Sequence, residues 1–169
     1  MYLLVFLCLE TRQLTVSPAT EHPNSRWVCA QAQAFLDQTA NRSENRPAIV
    51  MHDRDTKFTA AFVDVLKAGG VRHNALPKAS PNLNGRAERV ILTLRRECLD
   101  KFIFFGRRHL DYIVSSFTDY YNLRRAHSSR DSLPPIRELP EEVASLKMEQ
   151  IEVKSYVGGL VTTIERKAA

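Results

Sequence analysis

The sequence predicts an α/β protein in which helices pack on a mixed β-sheet. Two observations carry that prediction. Apolar patterns follow one another as strand, strand, helix, strand, helix, strand, helix, helix. No internal repeat or low-complexity tract interrupts them, so a solenoid is not indicated. The chain also has 169 residues, 44% of them apolar and 25% charged, which allows one domain with a real core and a short appendage. That composition excludes wholesale disorder.

Residues 1–9 (MYLLVFLCL) form a continuous apolar run. It is too short to span a membrane. It lacks the basic start and the cleavage pattern of a signal peptide, so it reads as a buried strand. Residues 13–20 form a second, weaker strand, limited by Pro18. Ser25 is a fair N-cap for an amphipathic helix over residues 26–40, followed by a polar loop at 41–46. Residues 47–51 (PAIVM) are a short buried strand that delivers the chain to His52, Asp53, Arg54 and Asp55. A helix over residues 59–68 stops at Gly69 and Gly70. Residues 71–76 return as a strand, and the turn formers of 77–85 make a loop.

A long helix is expected from about residue 86 to 101. Ala87, Val90, Ile91, Leu94 and Cys98 form its apolar stripe. A further helix over about 107–124 repeats the spacing with Leu110, Ile113, Val114, Phe117 and Tyr121. A Pro-containing linker covers 128–140. Two β-prone runs around Gly158 and Gly159 predict a hairpin tail.

The formal charge is +5, from 24 Lys and Arg against 19 Asp and Glu. Residues 72–130 hold twelve Lys/Arg and five Asp/Glu, a net of +7, so the remainder carries −2. A concentrated basic segment points to a polyanionic partner, although a solvated charged face also explains it. Cys8, Cys29 and Cys98 are scattered and odd in number, with neither metal-site spacing nor a disulfide framework. Reduced, mostly buried thiols in a cytoplasmic protein are expected.

Asp53 follows a strand end, where functional side chains collect in α/β sheets. Taken alone, a turn aspartate explains it as well. Glu88 lies in the first turn of the long helix, where the helix dipole favours a carboxylate without any function. As a pair they could converge on Mg²⁺ or Mn²⁺, hard ions that take carboxylate oxygens and water. Two-metal phosphoryl transfer needs at least two such groups, usually three. Lys78, Asn82, Asn84 and Arg86 precede Glu88, and Arg89, Arg95 and Arg96 follow it. Such side chains can hold phosphate oxygens and position DNA. Nucleotide-binding glycine motifs, a hydrolase elbow and metal-ligand histidine spacing are all lacking, with His52, His73, His109 and His127 scattered.

With those residues in view, the segment from PAIVMHDRD to SPNLNGRAERVILTLRREC resembles the catalytic core of retroviral-type integrases and bacterial insertion-sequence transposases. These are Asp-Asp-Glu recombinases with a ribonuclease H-like fold. The resemblance places the family's second acid at Asp53, in the HDRD turn. It places the third at Glu88, in an alanine-glutamate pair thirty-four residues beyond. YYNLRRAHSSRDSLPP matches the family's ending through Tyr121, Asn122, Arg125 and His127. LETR at Leu9 to Arg12 fits the end of the family's second strand. The likeness covers about residues 2–135, leaving 136–169 as linker and tail.

The resemblance implies DNA integration or transposition by metal-dependent end cleavage and strand transfer, with no covalent protein–DNA intermediate. It implies Asp53 and Glu88 as catalytic metal ligands for Mg²⁺ or Mn²⁺. DNA ends and target DNA are the implied partners, with a homo-oligomer as the acting form and no membrane involvement.

The family's first acid lies on a strand ahead of residues 3–9, and this sequence shows no such strand; Glu10 does not replace it. The expected fold is therefore a ribonuclease H-like sheet lacking its first strand, with activity impaired. A non-catalytic DNA-binding or degenerate transposase remnant is the alternative. A nuclease acting on RNA–DNA hybrids is a third reading, disfavoured through the resemblance alone.

Overall fold

A computed structural model describes residues 1–40, 47–77, 81–136 and 147–167, leaving out the side chains of 81–83. The chain forms two compact units: Met1–Cys8 with Thr15–Leu92, and Leu9–Leu14 with Thr93–Ala169. The loop expected at 41–46 and much of the linker lie outside the described residues.

In the first unit, β1 (Val5–Leu7) pairs with β2 (Leu14–Val16). Tyr2 and Thr20 extend the pairing through an antiparallel bridge. The expected strand at the start is shortened to three residues because the chain turns at Leu9 to Thr11, and Arg12 adopts φ 65°. Helix α1 (Ser25–Ala40) is capped by Asn24, not Ser25: the Asn24 side-chain oxygen accepts the Trp27 N–H at 2.9 Å. Ser25 instead bonds the Thr59 hydroxyl at 2.6 Å.

Next, β3 (Ile49–His52), α2 (Ala60–Ala68) and β4 (Arg72–Ala75) form a parallel βαβ unit, with Ile49 opposite Arg72 and His52 opposite Ala75. Gly70, at φ 73°, ends α2. The Gly70 N–H bonds the Lys67 carbonyl and the Val71 N–H bonds that of Leu66, a paired closure of the last turn. A Cβ at Gly69 would stand 2.7 Å from a Leu36 methyl, so that side chain would have to shift. Val28, Ala32 and Leu36 of α1 meet Phe62, Leu66 and Val71, with Leu4 and Val50 packed against them. Phe6 stacks on Phe35 at 4.2 Å.

The mixed α/β class is as expected. The single sheet is not: the described strands form three separate two-stranded sheets. Nor is β3 buried. Val50 faces the core, but Ile49 and Met51 are 46% and 43% exposed, because among the described residues β4 is its one neighbour.

Helix α3 (Pro81–Glu97) starts five residues earlier than the sequence suggests. Proline is well suited to a first helical turn, so the expected loop enters the helix. Val90 and Leu94 are buried, and so is Cys98 just beyond the helix, whose thiol is pushed up to about 12 by burial. Ile91, expected in the stripe, is exposed. Cys8 and Cys29 are half-buried.

In the second unit, α4 (Arg107–Leu123) buries Leu110, Ile113, Val114, Phe117, Tyr121 and Asn122. Asn122 is the polar exception. Its Oδ1 accepts the Leu14 N–H and its Nδ2 donates to the Leu14 carbonyl, both at 2.8 Å, across 108 positions of sequence. The tail is the expected hairpin, β5 (Ile151–Tyr156) antiparallel to β6 (Val161–Arg166). Val157 is buried at φ 53°, a costly angle for a β-branched residue, and its N–H donates to Ser116 Oγ of α4 at 3.0 Å. Arg124 pairs with Glu165, which also accepts from Tyr156 at 2.9 Å and Thr163 at 2.8 Å. No helix among the described residues is long and apolar enough to cross a membrane.

Asn122→Ala would strand one N–H and one carbonyl of Leu14 out of reach of water. A loss of about 2–4 kcal/mol is expected in urea unfolding. Burial opposes the Glu165 charge, but the hydrogen bonds from Arg124, Thr163 and Tyr156 prevail and hold its carboxyl down at about 2. The stabilisation is thus complete above pH 4.5 and lost as pH falls towards 2. NMR of Tyr156 during acid titration should report release of the hairpin in that window, and Glu165→Gln should remove the dependence.

Candidate catalytic turn and basic helix

Asp53 occupies the first position after β3 and is exposed. Its Oδ1 accepts the Asp55 N–H at 3.0 Å, closing a small turn. Asp55 has a different task. It accepts both the N–H and the ammonium of Lys57, and the Lys57 N–H is the main cause of its lowered pKa.

Two neighbours hold the turn. The His52 ring faces the Asp53 carbonyl at 2.7 Å; a carbonyl can only accept, so Nδ1 carries the hydrogen. That ring packs on Phe58 and Phe62, leaving Nε2 buried and without a hydrogen-bond partner among the described residues. Arg54 Nε donates to the Leu76 carbonyl at 2.9 Å, tying the turn to the segment that leads towards α3. His52 has no metal-ligand spacing in the sequence, so nothing in the pattern gives it this role. Its adjacency to Asp53 was the available signal.

Glu88 is exposed on α3 and, because the helix begins at Pro81, lies two turns inside it and not in its first turn. Ile91, beside it on the helix, is open as well. Among the described residues, no group of three His, Cys, Asp or Glu side chains is placed to hold a metal ion. The two carboxylates offer hard oxygen donors of the type that Mg²⁺ or Mn²⁺ accepts.

Of the DNA-facing candidates, Arg86, Arg89, Arg95 and Arg96 are exposed along α3, and Asn84 is half-buried near its start. Helical spacing puts Arg86, Arg89 and Arg96 on one side and Arg95 on the side of Glu88. Asn82 lies in α3 with its side chain outside the described residues, and Lys78 lies outside them altogether.

The Tyr121 to His127 motif has a structural content. Tyr121 and Asn122 are buried in α4. Arg125 lies over the Tyr121 ring at 5.6 Å and grips Glu97 with two hydrogen bonds, at 2.8 and 2.7 Å. That grip is the first cause of its raised pKa. The His127 ring meets Tyr121 edge-on at 4.7 Å.

Residues 69–135 match the family described as the integrase core domain. The match holds α3 with Glu88, the basic face and the whole Tyr121 to His127 motif. A second similarity is to the Insertion element IS476 uncharacterized 39.2 kDa protein of Xanthomonas euvesicatoria, 28% identical over 102 residues. It covers 60% of this chain and 29% of that protein. In fold, the chain is similar to one chain in the cryo-EM structure of the simian T-cell lymphotropic virus intasome in complex with PP2A regulatory subunit B56 gamma. The TM-score is 0.62 at 13% identity, covering 89% of this chain and 55% of that one. The chain thus spans less than two thirds of either relative.

The integrase core match begins beyond Asp53, so the turn stands on its own geometry. An asparagine can close the same turn as Asp53. Asp53→Asn should therefore leave unfolding free energy within about 0.5 kcal/mol of wild type by urea titration. Any functional loss in that variant would then report the carboxylate and not the fold.

Proposed function

We propose that the chain is the catalytic core of a DNA integrase or transposase, with residues 1–135 as the core and 136–169 as linker and tail. The observation that carries this reading is the integrase core match over residues 69–135, joined to an acid-bearing turn at the end of β3. The β1–β2 and β3–β4 ladders are read as two parts of a ribonuclease H-like sheet.

Asp53 and Glu88 are the chain's own ligands for Mg²⁺ or Mn²⁺. When bound, such ions activate a water or 3′-hydroxyl and stabilise the leaving oxygen of a phosphodiester. His52 and Arg54 fix the backbone from which Asp53 projects. Lys78, Asn82, Asn84, Arg86, Arg89, Arg95 and Arg96 hold DNA phosphates and set the position of the duplex. Copies of the chain assemble on the DNA ends and target. The exposed Asp53–Glu88 pair, without a third ligand beside it among the described residues, favours a second reading as a non-catalytic DNA-binding remnant.

Duplex binding and strand transfer should separate. The chain should bind duplex DNA with an affinity that falls steeply with salt, and replacing Arg89 and Arg96 by Gln should lower the log–log salt slope by about 2. No joined product is expected from residues 1–169 with either metal. Failure to bind a duplex at low salt would sink the DNA-handling reading. Joined products abolished by Asp53→Asn would show instead that the site is complete as it stands.

A further inference from the structure

The second unit carries an apolar feature on its surface that neither its core nor the Asp53 turn uses. Between α3 and α4, residues 102–105 read Phe-Ile-Phe-Phe. Burial alternates along them. Phe102 and Phe104 are half-buried, whereas Ile103 and Phe105 are 79% and 80% exposed. Tyr112, in the second turn of α4, is 63% exposed. Scattered apolar side chains on a surface are ordinary, but a cluster of large ones marks a place that meets a partner.

Phe105 is held in place. Its N–H donates to His109 Nδ1 at 3.2 Å. Its ring lies nearly parallel to the imidazole, at 20°, with centroids 5.7 Å apart. This is an offset stack, which orders the ring and leaves most of its surface open. Tyr112 follows His109 at i+3 and Arg108 at i+4, so these three share one side of α4.

Charge selects the partner. Residues 101–109 hold Lys101, Arg107 and Arg108 and no acid, and all three cations are exposed. The nearest acids in sequence, Asp100 and Asp111, lie just outside that stretch. A second copy docked here about a two-fold axis would set these cations against themselves, because the same patch meets itself. A membrane surface suits an amphipathic helix with an open apolar face, and the apolar face of α4 is committed to the core. A nucleic-acid strand matches both properties, with flat bases for the ring and phosphates for the cations. Bases within a duplex are stacked on one another, so the base that lies on Phe105 has to be unpaired.

We propose that Phe105, backed by His109 and flanked by Arg108 and Tyr112, is a stacking platform for an unpaired base of a nucleic-acid strand. Arg108 holds an adjoining phosphate, and Ile103 adds apolar contact. The platform deepens the DNA-handling reading and rests on it: the arginines of α3 hold duplex phosphates, whereas Phe105 takes a strand end or gap where bases have come apart.

The full chain is titrated at low salt with single-stranded oligothymidylate and with a duplex of equal length. Phe105→Ala should weaken strand binding by about 5- to 100-fold and leave duplex binding within about twofold. Phe105→Trp should keep the wild-type affinity. Arg108→Gln should lower the salt slope for the strand by about 0.7. A 2-aminopurine placed in the strand should be quenched by wild type and not by Phe105→Ala.

Equal strand affinity in wild type and Phe105→Ala overturns the platform, as does an equal loss for strand and duplex. Two results would hand the patch to another partner and overturn it. One is a change of oligomeric state in Phe105→Ala with strand binding intact. The other is Phe105-dependent binding to phosphatidylserine vesicles with strand binding intact. Should Phe105→Ala fail to fold, NMR of the wild-type chain decides. The Phe105 and His109 ring resonances must move on strand addition, and movement confined to other residues overturns the platform.

The two readings fail separately. Duplex binding beside strand binding that ignores Phe105 overturns the platform and leaves the DNA-handling reading standing. Phe105-dependent strand binding without duplex binding upholds the platform and overturns duplex positioning by α3. Binding to neither overturns both.

Discussion

Asn122 imitates one rung of a β-ladder from inside a helix. Its amide offers one acceptor and one donor, and Leu14 presents the matching N–H and carbonyl. A buried asparagine on an apolar helix face is tolerable only when both halves of the amide are satisfied. That condition brings the segment before β2 to α4 across 108 positions of sequence. It explains why Leu9–Leu14 belongs with the second unit while the residues on either side of it belong to the first. The Asn122 carbonyl receives the Ile136 N–H at 3.0 Å, so the same residue anchors the chain beyond α4.

Electrostatics divides the basic segment into arginines with structural work and arginines without it. Arg124 is bound to Glu165 of the hairpin and Arg125 to Glu97 of α3. Both pairs are partly shielded from solvent, and each carboxylate has further partners or a two-pronged grip, so these charges are committed. Arg86, Arg89, Arg95 and Arg96 are exposed on α3. A net of +7 over residues 72–130 therefore overstates what is free to meet a polyanion; α3 holds four of the ten basic residues that remain.

Local periodicity made the helices legible. Each of α1, α2 and α4 begins and ends within about one residue of its expected bounds, because amphipathic spacing and the Gly69–Gly70 stop are local signals. Helix α3 was misplaced at its start because proline and asparagine read equally as turn and first turn. The partition into separate ladders was not legible, since strand pairing is decided by residues far apart in sequence. The same holds at the site. The position of Asp53 at a strand end follows from the local pattern. The exposure of Glu88 and Ile91 does not, because it depends on what covers α3. Tyr121, Asn122 and Arg125 are visible as a pattern, but their contacts involve Leu14 and Glu97, which no local rule connects to them.

On the proposed reading, the departures from expectation in the first unit share one cause. The β3 edge away from β4 has no partner among the described residues, and Ile49 and Met51 leave an apolar face open beside it. An additional strand against that edge would pair the backbone groups of β3 and continue the face that Ile49 and Met51 begin. It would also stand next to the strand whose end projects Asp53, and a carboxylate on it would lie near that turn. One element would then supply both the sheet continuity and a further acid. Stability and chemistry would be gained together, since a metal site needs its carboxylates held on rigid elements.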